Sequence, residues 1–164
     1  MKKTDVYIGI DPDIDKNGVA FVEVETRRCE VASLTFPELM DYLAFVVQRH
    51  EETGQTVTVV VEAGWLEESN WHLRQKGVEW AASVGRAVGR NHQAGIIIAD
   101  MAEHMGLPVI RQRPLRKCWR GKDRKITHAE LAAFTGIMGR TNQEERDALL
   151  LAWVAAGLPI KIFR

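Results

Sequence analysis

Short apolar runs alternate with polar punctuation along the first third of the chain. "VYIGI" and "VAFVEV" are rich in β-branched and aromatic residues and, with the run that begins at Cys29, predict strands over about 5–11, 18–25 and 29–35. The links "PDIDKN" and "TRR" are short enough for an antiparallel meander. The period then changes. "PELMDYLAFVVQRH" has a proline near its start and apolar residues at Leu39, Leu43, Val46 and Val47, which predicts a helix over 37–50. "TVTVVVEAGW" carries an unbroken apolar run from Val59 to Val61, the pattern of a strand buried on both faces. A long helix is predicted over 77–105, where Ala81, Gly85 and Gly89 stand four apart and mark a face that another backbone can approach closely. "LPVIR" reads as a fifth strand. Thr127 with Glu130, and Asn142 with Glu145, have capping-box spacing and open two further helices. The order βββαβαβαα implies an α/β fold in which a five-stranded mixed sheet, first an antiparallel meander and then parallel strands, is flanked by helices.

Length and composition narrow this picture without redirecting it. With 164 residues, 46% of them hydrophobic, the whole chain reads as one globular domain. No apolar run approaches the roughly 20 residues of a membrane span, and "MKKTDVYIGI" is too short in apolar residues for a secretory signal, so a cytoplasmic protein with no membrane partner is expected. Cys29 and Cys118 form no CxxC pair, and the five histidines have no zinc-finger or HExxH spacing. The net charge is zero but unevenly spread. Arg111, Arg113, Arg116, Lys117, Arg120, Lys122, Arg124 and Lys125 face the single Asp123 between 111 and 125, a local charge of +7 with Trp119 in its midst. That concentration points to a polyanion contact rather than an ordinary solvated loop.

The candidate chemistry lies in the acids. "DIDKNG", from Asp13 to Gly18, matches the first half of a calcium loop, but the bidentate glutamate due at the twelfth position is Val24, and the flanks read as strands, not helices. Asp11 and Glu62 each end an apolar strand and become neighbours if the two strands pair with their ends aligned. Glu144 and Asp147 are three apart on one helix face, and Asp147 lies past the first turn, directly before the apolar "ALLLAW", where an unpaired charge would be costly. Carboxylates of this kind suit hard divalent ions such as magnesium, and two such ions can activate a water and stabilise the leaving oxygen of a phosphodiester.

Asp11 in "GIDP", Glu62 in "VVVEAGW" and "EERDALLLAW" together resemble the RuvC-type Holliday junction resolvases of the RNase H-like superfamily over nearly the whole chain. Gly18 fits the second glycine of that family's first motif, Asp13 stands where its first glycine would be, and Glu144 replaces the usual first Asp of its closing acid pair. The resemblance implies an RNase H-like fold and a homodimer that cleaves branched DNA, most specifically four-way junctions, in recombination and repair. It implies Asp11, Glu62, Glu144 and Asp147 as ligands of two Mg2+ ions, with Mn2+ able to substitute, and products with 5′-phosphate and 3′-hydroxyl ends. Lys117 and Lys125 match the family's active-site lysines, and Trp65 takes the place of an aromatic residue that inserts among bases near the crossover. The setting of Trp65 in "GWLEESN" favours an exposed indole; filling the core is the alternative there. Three other readings stay open: a related nuclease on another branched or single-stranded nucleic acid, a non-cleaving junction binder, and a sugar-kinase or actin-like ATPase, which normally needs two such domains.

Overall fold

The computed structural model describes residues 3–67 and 77–163. Five strands form one sheet: β1 (Val6–Asp11), β2 (Asn17–Glu23), β3 (Cys29–Leu34), β4 (Val57–Glu62) and β5 (Val109–Gln112), in the order β3-β2-β1-β4-β5. The first three pair antiparallel, and β4 and β5 run parallel to β1. This is the RNase H-like arrangement that the resemblance implies. The helices are α1 (Phe36–Thr53), α2 (Val78–His104), α3 (His128–Thr135) and α4 (Gln143–Ala155). None is long and apolar enough to cross a membrane.

Local chemistry explains where the helices begin and end. Thr35, Thr127 and Asn142 each accept a hydrogen bond from the backbone N–H three residues on, while Glu38, Glu130 and Glu145 reach back to the capping residue's own N–H. Gly54 and Gly136 end α1 and α3 in the left-handed conformation, at φ 73° and 71°.

Strand alternation sorts the sheet into two faces. Val6, Ile8, Ile10, Val19, Val59 and Val61 pack with Leu39 and Leu43 of α1 and with Ile98 and Ala102 of α2. Ala20 and Val22 pack on the opposite side with Leu149, Ala152 and Trp153 of α4 and Leu131 of α3. Val59, Val60 and Val61 are all fully buried, as their unbroken apolar run predicts.

Two glycines let α4 lie directly on its face of the sheet. A Cβ at Gly9 would stand 2.1 Å from the Ala148 carbonyl oxygen, and one at Gly18 would stand 2.0 Å from that of Glu144. The first half of α2 is different. A Cβ at Gly85 or Gly89 would meet no described atom within 4 Å, so at these positions the small-residue face is not packed on the chain's own sheet. From Gly95 onward α2 joins the core.

Candidate active site

Strand parity and register bring the acids together. Ile10 pairs with Val61, which sets the next residues, Asp11 and Glu62, side by side at the ends of two parallel strands. Both share the α4 face of the sheet: Asp11 stands two residues beyond Gly9, which lies under Ala148, and pairs with Gly18, which lies under Glu144. The same close approach carries Asp147 to the two strand ends. Asp147 is held from two sides: Lys125 Nζ lies 3.0 Å from its Oδ2, and Gln143 Nε2 donates to Oδ1 at 2.8 Å and to the Ile126 carbonyl at 3.2 Å.

These groups act on one another electrostatically. Burial, then Glu62 and Asp147, push the Asp11 carboxyl up to about 8, against a partial offset from Lys125 and a further rise from Glu144. Burial and Asp147 also raise Glu62, opposed by Lys125 and Lys117. For Lys125 burial alone would lower the pKa; the hydrogen-bonded ion pair with Asp147, then Asp11 and Glu62, raise it overall. Asp11, Glu62 and Asp147 thus act on one another across the strand ends, and Glu144 adds only the smallest of the effects on Asp11. No three histidine, cysteine, aspartate or glutamate residues among those described form a group that could hold a metal ion.

Two hollows meet at Glu62. One, of about 370 Å³, is lined by Asp147, Lys117, Lys125, Arg116, Trp119 and Leu150 among others. The other, of about 190 Å³, runs past Asp11, Pro12, Trp65 and Asn91. Gly64, Val88 and His92 border both.

Arg113, Arg116, Lys117, Arg120, Lys122 and Arg124 are exposed, and of these Arg116 and Lys117 line the larger hollow. Their segment is clamped: Trp119 N–H donates to the Arg124 carbonyl, Gly121 N–H to that of Lys125, and the buried Glu130 accepts from the backbone N–H groups of Arg120 and Thr127 and from the Thr127 hydroxyl.

Arg111 and Trp65 depart from expectation, and Trp119 is placed in the core. Arg111 does not join the basic surface, because its register opposite Val61 turns it to the α2 face, where it forms ion pairs with Asp100, at 3.1 Å, and Glu103. Trp119 is a core residue, 8% exposed, packed 6.1 Å from Phe134, which in turn lies 6.1 Å from Trp153. Trp65 is half-buried instead of exposed: it lies in the middle of a 3₁₀ turn at Gly64–Leu66, packs on the sheet's core cluster, and its Cζ3 would be 2.6 Å from a Cβ at Gly95.

The aspartate loop after Asp11 is a closed turn. Asn17, 1% exposed, accepts from Asp13 N–H and donates to the Leu34 carbonyl, Asp13 Oδ1 accepts from Asp15 N–H, and Asn91 of α2 accepts from Ile14 N–H. Strands flank it on both sides, which removes the calcium-loop alternative.

His92, Gln143, Asn91 and Glu130 were invisible as site residues in the sequence. Gln143 and Glu130 sit inside capping segments that account for their presence by themselves, and nothing in the spacing of Asn91 or His92 ties them to Glu62.

The chain is similar to two solved structures of RuvC from Thermus thermophilus. One, in complex with a Holliday junction substrate, is 20% identical with a TM-score of 0.45, over 93% of this chain and 96% of that chain. The other is 20% identical with a TM-score of 0.47, over 93% of this chain and 97% of that one. No family model and no curated protein matches the chain. The RNase H-like architecture is read from strand order and register themselves.

Proposed function

We propose that the chain is a divalent-metal-dependent endonuclease of branched DNA, most specifically of four-way junctions, acting as a homodimer. The observation that supports this reading is the electrostatic influence of Glu62 and Asp147 on the buried Asp11, at two hollows that meet at Glu62, one lined by Asp11 and the other by Asp147, Lys117 and Lys125. The donors fit a hard divalent cation. They are carboxylate oxygens, and burial, then the neighbouring carboxylates, disfavour the charged forms of Asp11 and Glu62, a cost that such a cation relieves. Asp11, Glu62 and Asp147, with Glu144, would hold two Mg2+ ions, or Mn2+ in their place. When bound, the ions supply an activated water and neutralise charge on the phosphate.

The chain's own groups have separate tasks. Gln143 keeps Asp147 oriented, so that this carboxylate presents a fixed edge to the cleft. Lys125 and Lys117 can donate to the non-bridging oxygens of a phosphate lying over Glu62, stabilising charge in the transition state. Arg113, Arg116, Arg120, Lys122 and Arg124 would follow the DNA backbone, each neutralised phosphate releasing counterion. Hydrolysis in this sense leaves 5′-phosphate and 3′-hydroxyl ends. The open face at Gly85 and Gly89 supports the dimer, since a two-fold pair presents two sites related by the symmetry of the junction itself.

The test is a labelled mobile four-way junction incubated with the purified protein, with and without Mg2+. Paired nicks are expected only with the metal. Asp11→Asn, Glu62→Gln and Asp147→Asn should each abolish cleavage while retaining junction binding, and Glu144→Gln should impair it. Binding with no nick at any metal concentration would replace the nuclease by a junction binder, and a monomeric mass on and off DNA would remove the dimer.

A further inference from the structure

His92 lies on α2 and borders both hollows that meet at Glu62, the one containing Lys117, Lys125 and Asp147 and the one containing Asp11. Its ring is half-buried, and neither ring nitrogen has a hydrogen-bond partner among the described residues. No described buried side-chain nitrogen or oxygen lacks a partner, so the ring nitrogens reach solvent in the cleft. The ring is also held in place. One residue earlier, Asn91 Oδ1 accepts from Ile14 N–H at 3.0 Å, tying α2 to the loop after Asp11. Three residues later, Gly95 gives Pro12 and Trp65 room to pack on the helix. The ring itself lies over Gly64: a Cβ there would stand 2.8 Å from His92 Nε2 and 3.2 Å from Cδ2. Gly64 is not among the glycines at positive φ, so its backbone does not demand glycine, and the ring is what fills the space.

We propose that His92 is a substrate contact that donates a ring N–H to a non-bridging oxygen of a DNA phosphate over Glu62, and that the missing Cβ of Gly64 admits the ring to this position. The chemistry of the larger hollow selects the ligand. It is lined by Arg116, Lys117 and Lys125 against Glu62 and Asp147, and with Lys125 paired to Asp147 the exposed Arg116 and Lys117 are left to meet an anion, to which an imidazole of either tautomer adds one N–H. The inference rests on the proposed binding of branched DNA throughout, and on the nuclease reading for its kinetic arm alone.

That arm is single-turnover cleavage of bound junction. His92→Ala should slow it about tenfold or more, the loss of one hydrogen bond to a charged group, and His92→Gln, which keeps an N–H donor, should recover part of the rate. Gly64→Ala should displace the ring and slow the wild-type background, yet have no further effect combined with His92→Ala. The second arm needs no cleavage and no variant: the ¹H–¹⁵N ring resonances of His92 in the wild-type protein in EDTA should shift on adding the junction. A shift without any cleavage by the wild type would leave the contact standing and remove only the nuclease reading. Unmoved ring resonances, additive effects of Gly64→Ala and His92→Ala, or a rate loss matched by an equal loss of Mg2+ affinity would each overturn the proposal.

Discussion

Replacing Asp11 by asparagine should make the metal-free protein more stable while it abolishes cleavage. The Asp11 carboxyl is raised from 3.8 to about 8, by burial first and then by Glu62 and Asp147. Between these two values the folded protein keeps a proton that the unfolded chain has lost, so stability is fully present below about 3.8 and falls as pH rises, until the folded carboxyl ionises near 8. At about 1.4 kcal/mol per pH unit, the loss by pH 7 is about 4 kcal/mol; water entering the cleft and relaxation of Glu62 reduce it to about 2–4 kcal/mol. Asparagine keeps the shape and carries no charge at any pH. The Asp11 carboxylate accepts no hydrogen bond from a described residue, so the amide forfeits none.

The assay is urea unfolding of wild type and Asp11→Asn in EDTA at half-unit steps from pH 4 to 9. Near pH 4 the two curves should coincide. By pH 7 the variant should lead by about 2–4 kcal/mol, a rise in Tm of roughly 5–10 °C for a chain of this size. Millimolar Mg2+ should stabilise the wild type and narrow the gap, because a ligand of the folded state alone shifts the equilibrium by mass action. A variant less stable than wild type at pH 7, or a gap constant from pH 4 to 9, would refute the reasoning that these carboxylates repel one another in a half-buried site.

Three further outcomes are expected. Gly18→Ala forces a methyl against the backbone carbonyl of Glu144, 2.0 Å away, and should destabilise the fold by about 1–3 kcal/mol and slow cleavage by lifting the first turn of α4, as read by urea unfolding and single-turnover rates. Glu130→Gln removes the charge from a buried acceptor of three hydrogen bonds, at about 1–3 kcal/mol, and should lower the cleavage rate of bound DNA by loosening the segment that carries Lys117 and Lys125; an unchanged rate would limit Glu130 to capping α3. Neutralising Arg113 and Arg116 should reduce the salt dependence of junction binding by about one unit of slope for each phosphate left without its cation, whereas Arg111→Ala, whose guanidinium is engaged by Asp100 and Glu103, should leave that slope unchanged.

What could be read from sequence separates from what could not along a physical line. The strands, the helices and their caps depend on residues within a few positions of one another: Thr127 with Glu130, Asn142 with Glu145, the apolar run Val59 to Val61. Each appears within about three residues of its predicted place. Asp11 and Glu62 were legible for a similar reason, since each ends an apolar strand and only the alignment of those ends remained to be supplied. Arg111 was misread because its direction depends on register. Once Val61 is known to pair with it, parity sends its side chain to the α2 face, but nothing near 111 reveals that pairing. Trp119 sits among cations whose side chains turn outward, while its own ring is claimed by Phe134 on a helix that had still to be placed.

Trp65 shows the same limit most sharply. Its glycine and acidic neighbours describe an exposed turn, and the backbone does make a turn there. Burial of the indole is decided thirty residues later, at Gly95, where the absence of a single Cβ on α2 opens the space that the ring occupies. The consequence reaches the chemistry, because the packing of Trp65 and Pro12 on Gly95 fixes where α2 crosses the strand ends, and hence where His92, one turn earlier, meets the cleft. A larger residue at Gly95 would therefore act on the site through the helix, displacing His92 without touching any carboxylate.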